Sequence, residues 1–243
     1  MRDGMIKKIL NLFLLTAVFS VFAGEAETPI IAYWSFDKDT ERELVDSGPN
    51  KLNALLASKK DNAKILKTKG MKGQALFFKK DNPLKYIVQD KNKFLNLKPP
   101  FSICVWVRPE ERSKQMSILS SKLDTANNGF SLGIGWGKVN YRWGDGEKTN
   151  IISPETNSLR KNIWTHIALV NDGEKITIFI DGEMEFEEKY EKAVPVPAKA
   201  DTVIGNYPAR ADAYNFIGAI DELYIIGKAL NKDEVYKTAS KID

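Results

Sequence analysis

The chain has 243 residues, 36 basic and 32 acidic, with one histidine and one cysteine. That inventory excludes an internal disulfide, and it excludes a zinc centre, which needs more His or Cys than is present. A formal net charge of +4 gives no basis for a nucleic-acid partner.

Lys7 and Lys8 precede an apolar run from Ile9 to Phe22, followed by the small residue Ala23. The run is shorter than the ~20 residues of a membrane span, so residues 1–23 read as a signal peptide cut after Ala23. An uncleaved N-terminal anchor is the alternative. Cleavage leaves 33 basic and 31 acidic residues and sends the product to the periplasm, the cell surface or the medium, with no stable span. Residues 24–243 show no internal repeat and no Pro/Ser/Gly-rich linker, and read as one domain.

Strands are predicted in close succession. Ile30 to Phe36 opens the domain, and a turn-rich stretch follows from Glu43 to Asn50. Further strands are expected at Leu52 to Ala57, Ala75 to Lys79, Lys85 to Gln89, Phe101 to Arg108 and Ser117 to Lys122. Gly129 to Trp136 pairs with Lys138 to Trp143 across a glycine turn. In the central stretch, Ile163 to Gly182, apolar runs flank Asn171-Asp172-Gly173 and end at Asp181-Gly182. Asp-Gly between strands is a strong hairpin signal, because Gly takes φ > 0 cheaply and Asp tolerates it. Thr202 to Asn206 and Phe216 to Ile226 complete the strands. One helix is predicted, with Asn231 as N-cap and Glu234 three residues on.

This pattern predicts an all-β sandwich or jelly roll with a short C-terminal helix. Phe101 to Val107 is apolar on both parities, as befits a central strand covered on both faces. Cys104 within it reads as a buried, inert thiol. Lys51 to Lys98 carries thirteen lysines, no arginine and three acids. It reads as a solvated edge or as a basic face for an anionic partner, and the absence of arginine and interleaved aromatics favours the edge.

Four stretches carry a family resemblance. They are Ala32-Tyr33-Trp34-Ser35-Phe36-Asp37 with Asp46-Ser47-Gly48; Phe101 to Pro109; Trp164-Thr165-His166-Ile167-Ala168 through Asp181-Gly182; and Phe216 to Leu223 leading to Lys228-Ala229-Leu230. In this order the chain resembles the concanavalin A-like, laminin-G-like jelly rolls of secreted bacterial proteins. The resemblance implies two antiparallel sheets of six or seven strands and a concave face where sugars bind. It does not imply one activity, since such domains serve several roles.

Candidate sites follow. Trp136, Tyr141 and Trp143 are placed to stack on sugar rings, with Asn140 and Arg142 binding hydroxyls; the alternative is that these aromatics are core. Tyr207 and Tyr214 could form a rim at the same edge. Asp221 shares strand parity with Ile217, Ala219, Leu223 and Ile225, and a carboxylate on an inward face must be satisfied. The resemblance implies a structural calcium ion there, with Asp37 and Asp46 as further ligands; otherwise Asp221 accepts backbone N–H groups or pairs with Arg108. His166 reads as a core histidine. Glu183, Glu185 and Glu187 resemble the acidic strand of related jelly-roll glucanases, but the sequence GEMEFEEKYE departs from their E-x-D-x-x-E pattern, and a solvent-facing edge strand fits better. The expected function is therefore non-catalytic binding of a polysaccharide or glycoprotein glycan. A protein-binding adhesion domain is the second reading, and a glycoside hydrolase the third.

Overall fold

The computed structural model describes residues 29–57, 63–123, 125–209 and 213–240, so the expected signal peptide lies outside the described residues. Among them, in chain order, the strands are β1 (Ile30–Trp34), β2 (Glu43–Leu44), β3 (Ala54–Leu56), β4 (Lys67–Lys69), β5 (Gln74–Phe78), β6 (Tyr86–Val88), β7 (Phe101–Pro109) and β8 (Gln115–Ser120). After these come β9 (Phe130–Gly135), β10 (Lys138–Gly144), β11 (Thr149–Ile152), β12 (Thr165–Asn171), β13 (Lys175–Ile180), β14 (Glu183–Lys189), β15 (Val203–Ile204) and β16 (Gly218–Ile226), then helix α1 (Lys232–Ser240). No described helix is long and apolar enough to cross a membrane.

The strands form two eight-stranded antiparallel sheets. The first runs β14-β13-β12-β7-β16-β5-β4, with β1 also on β16; the second runs β11-β10-β9-β8-β15-β6-β3-β2. Each sheet exceeds the expected six or seven strands because β2, β4 and β11 are short pieces in segments that read as turns or loops. One core cluster joins the inner faces, including Ile103, Val105 and Val107 of β7, Ile167 and Leu169 of β12, and Leu132, Ile134, Tyr141 and Trp143 of β9 and β10.

The two-sided apolar character of β7 has a direct cause. Its outer face carries Cys104, which packs with Ala168, Val170, Phe179 and Ile226 beneath Leu230 and Val235, so α1 and its approach cover that face. Burial pushes the Cys104 thiol up to about 12, which leaves it protonated at neutral pH. The helix starts with a reciprocal capping box: Asn231 Oδ1 accepts the Glu234 N–H and Glu234 Oε2 accepts the Asn231 N–H, both at 3.0 Å.

The last strand shows what a simple alternation misses. A β-bulge falls between Asp221 and Tyr224, and Glu222 within it takes φ 48°. The extra residue reverses the parity, so Leu223 and Ile225 enter the core with Ile220, while Asp221 stays opposite Trp106 on the outer face. The expectation that Asp221 shares the face of Leu223 and Ile225 is thereby corrected. At this bulge the far edge of β16 changes partner, from β5 over residues 218–220 to β1 over residues 223–226.

Candidate functional site

Strand β10 decides which expected binding residues face solvent. Its side chains alternate, and the inward set is Val139, Tyr141 and Trp143. Tyr141 and Trp143 are fully buried, stacked with centroids 5.4 Å apart, and the Trp143 indole N–H donates to the Lys192 carbonyl at 2.9 Å. They belong to the core and cannot form the sugar platform. Asn140 is also buried, exchanging hydrogen bonds with the Gln115 amide at 2.6 and 3.2 Å. Arg142 faces outward and is half-buried; its Nε is shielded from water and meets no acceptor among the described residues.

Trp136 is different. It lies in the two-residue turn between β9 and β10, where Gly135 pairs with Lys138 and both turn residues have positive φ, 52° at Trp136 and 75° at Gly137. These angles define a type I′ turn, whose first position normally holds Asn, Asp or Gly. A bulky side chain there costs about 1–2 kcal/mol in Cβ–carbonyl crowding. The indole is not packed into the core to offset this, since Trp136 is 62% exposed. Beside the turn, the Arg112 guanidinium donates to Asn157 Oδ1 across Gly137, and the Leu159 N–H donates to the Gly137 carbonyl at 3.1 Å. Glu111 accepts the backbone N–H groups of Arg112 and Ser113 and the Ser113 hydroxyl, which hold its carboxyl down to about 2. The tip thus offers an open aromatic face with a guanidinium and an amide beside its turn. Arg112 and Asn157 were missed by sequence reasoning, because their approach to Gly137 depends on loops that no local pattern places.

The three aspartates expected to share a cation separate into two places. Asp46 is fully buried, and its carboxylate accepts the N–H groups of Tyr33, Gly48 and Leu52 at 2.6–2.8 Å, so it serves as the organiser of its own loop. Asp37 and Asp221 both reach the turn between β4 and β5. Asp37 accepts the Gln74 N–H at 2.7 Å, and Asp221 accepts the Lys72 N–H at 3.1 Å and the Glu222 N–H at 3.0 Å. This is the backbone alternative foreseen for Asp221, while Arg108 instead stands over the Trp164 ring at 5.3 Å. Desolvation raises the Asp221 carboxyl to about 7. Among the described residues no group of three His, Cys, Asp or Glu side chains is disposed to hold a metal. A calcium ion here would draw on two carboxylates, Asp37 and Asp221, and on carbonyls of the glycine-bearing turn 70–73; Asp46 does not fit.

The remaining candidates have structural partners. Glu183 pairs with Lys232, Glu187 with Lys175, and Glu185 accepts the hydroxyls of Thr156 and Ser158. His166 is buried with its ring edge-on to Trp106 at 5.3 Å and Nε2 3.3 Å from the Thr238 hydroxyl, and burial pushes its pKa down to about 4. It packs beneath α1, outside the space between the sheets. Tyr207 and Tyr214 lie with ring centroids 4.8 Å apart, but Tyr207 is only 2% exposed and makes no open rim.

Residues 86–236 match the family model for the concanavalin A-like lectin/glucanase superfamily. The chain belongs to that superfamily. No curated protein sequence matches it. Among solved structures it resembles domain 4 of the extracellular arabinanase AbnA from Geobacillus stearothermophilus, solved with arabinotriose: 23% identity, TM-score 0.70, covering 88% of this chain and all of that one. A second is the binding domain of botulinum neurotoxin DC in complex with rat synaptotagmin II, at 16% identity and TM-score 0.66, covering 88% of this chain and 52% of the toxin domain. A third is the CBM40 of a Ruminococcus gnavus sialidase bound to α2,3 sialyllactose, at 18% identity and TM-score 0.53, covering 63% of this chain and 90% of that one. At these identities the likeness establishes the jelly-roll fold.

Proposed function

We propose that this chain is a secreted, non-catalytic glycan-binding domain whose anchor is Trp136. The observation that carries the reading is an indole held 62% exposed at a backbone position unfavourable for it. Strain at a side chain left mostly in solvent points to a use outside the fold. An aromatic face with a guanidinium and an amide beside it suits a sugar ring, whose apolar face stacks and whose hydroxyls both donate and accept. Neighbours of the same fold were solved with arabinotriose and sialyllactose. The engagement of Glu183, Glu185 and Glu187 by lysines and hydroxyls supports the non-catalytic reading.

The test is a glycan-array screen of the protein followed by calorimetry on Trp136→Asn, a substitution that suits the turn. Loss of a binding anchor costs about 2 kcal/mol, or roughly thirtyfold in affinity. Glycan retention unchanged in the folded variant rejects Trp136 as the anchor, and a protein hit without any glycan hit favours the adhesion reading. We extend the proposal to a structural calcium ion on Asp37 and Asp221, since calcium takes oxygens from carboxylates and turn carbonyls alike. Melting temperature should rise when calcium is added to chelated protein; an identical midpoint with calcium and with EDTA removes the ion.

A further inference from the structure

Between the free edges of the two sheets, β11 on one side and β14 on the other, runs a groove of about 550 Å³. Its apolar floor is Ile151, 55% exposed, with half-buried Phe186 and Tyr190. Tyr190 is held at both ends: its ring stands edge-on to the buried Trp143 at 5.0 Å, and its hydroxyl donates to Glu188 at 2.7 Å. Glu155, Glu185 and Glu188 line the groove, and among the described residues no lysine or arginine does. Glu185 is fixed by the Thr156 and Ser158 hydroxyls, which bring no positive charge.

One wall connects this groove to the Trp136 turn. Thr156 lines the groove, Asn157 lies against Gly137, and Leu159 donates to the Gly137 carbonyl. Charged residues on a free edge strand can be explained as protection against edge-to-edge pairing. That explanation covers the glutamates of β14 but not an exposed apolar floor beside them, which would itself be a liability on an unused edge.

Building on the glycan reading, we infer that the groove binds successive units of a neutral polysaccharide, of which another unit rests on Trp136. Sugar faces lie on Ile151, Phe186 and Tyr190, and the fixed carboxylates accept hydroxyl protons. The same carboxylates repel uronate or sulfated chains, because no cation in the groove compensates them. The protein therefore grips the interior of a chain, and its affinity grows with chain length.

Calorimetry with ladders of arabino-, cello- and manno-oligosaccharides from disaccharide to hexasaccharide, and with a matching oligogalacturonate ladder, tests this. At least one neutral ladder should gain tenfold or more in affinity from its shortest to its longest member, with no binding of the galacturonates. Tyr190→Ala should flatten the gain, so that the hexasaccharide binds no more than about threefold tighter than the disaccharide, whereas Trp136→Asn should weaken every length. Because Tyr190 packs on Trp143, the double variant Glu185→Gln, Glu188→Gln serves as a second probe, and it should admit galacturonates. A flat ladder, tighter binding of galacturonates by the unaltered protein, or a gain that survives Tyr190→Ala overturns the groove and leaves the Trp136 reading standing. Absence of binding to every ladder overturns both.

Discussion

Asp181-Gly182 and Trp136-Gly137 are the same turn built twice. Each joins adjacent antiparallel strands through two residues of positive φ, 50° and 84° in one, 52° and 75° in the other. In the first, the Asp181 carboxylate folds back and accepts the His166 N–H at 2.8 Å, so the residue at the crowded position is compensated locally. In the second, the indole projects from the turn and finds no such compensation. Identical backbone demand with opposite side-chain use separates a turn that serves the fold from one that serves something else.

The largest effect expected from this contrast concerns pH. Burial lowers the His166 pKa to about 4, against the ordinary 6.5 of an unfolded chain. Between those values the unfolded chain takes up a proton that the folded one refuses, so the stabilisation is complete above pH 6.5 and is lost as pH falls toward 4. The shift corresponds to about 3 kcal/mol. Urea unfolding at several pH values should show this slope, and His166→Gln should remove it. Hydrogen-exchange protection, taken relative to the intrinsic rate at each pH, should fall with acid around Asp181, which accepts the His166 N–H, and not around Trp136.

Glycine replacements come next. At Gly137 an added Cβ meets Asn157 and Arg112, and at Gly182 its nearest neighbour is the edge of the exposed Tyr236 ring at 3.0 Å. Gly137→Ala should therefore cost about 2–3 kcal/mol and Gly182→Ala about 1 kcal/mol by thermal unfolding. Equal costs would mean that the 157–159 loop does not brace the Trp136 turn. Asp181→Ala should lose about 1–2 kcal/mol, combining a lost hydrogen bond with a residue less tolerant of positive φ. The smallest effect has the opposite sign: Trp136→Asn should raise stability by about 0.5–1 kcal/mol, because Asn suits the turn. A destabilised Trp136→Asn variant would show that the indole contributes to the fold after all.

Local chemistry was legible in the sequence where both partners are close along the chain. The Asn231–Glu234 capping box and the Asp-Gly turn at 181–182 follow from residue identity at fixed spacing. The strand at 138–144 was equally clear, yet its faces were not, because both Tyr141 and Asn140 are buried and hydrophobicity alone does not rank them. Asp221 was misplaced by a bulge, whose single inserted residue leaves no compositional mark. Glu185 and the Arg112–Asn157 pair depend on contacts between segments 27 and 45 residues apart, respectively, which strand periodicity does not encode.

The position of β16 has a consequence for how the chain is made. Strands β1, β5 and β7, from the first half of the sequence, all pair with this final strand. A ribosome releasing the chain from its N-terminus leaves those three without a shared neighbour until residues 218–226 emerge. Their long wait gives the sheet a high contact order and slow, late closure. Without residues 218–226 the first sheet is accordingly three separate pieces, β1, β4-β5 and β7-β12-β13-β14, and the emergence of β16 is the event that joins them.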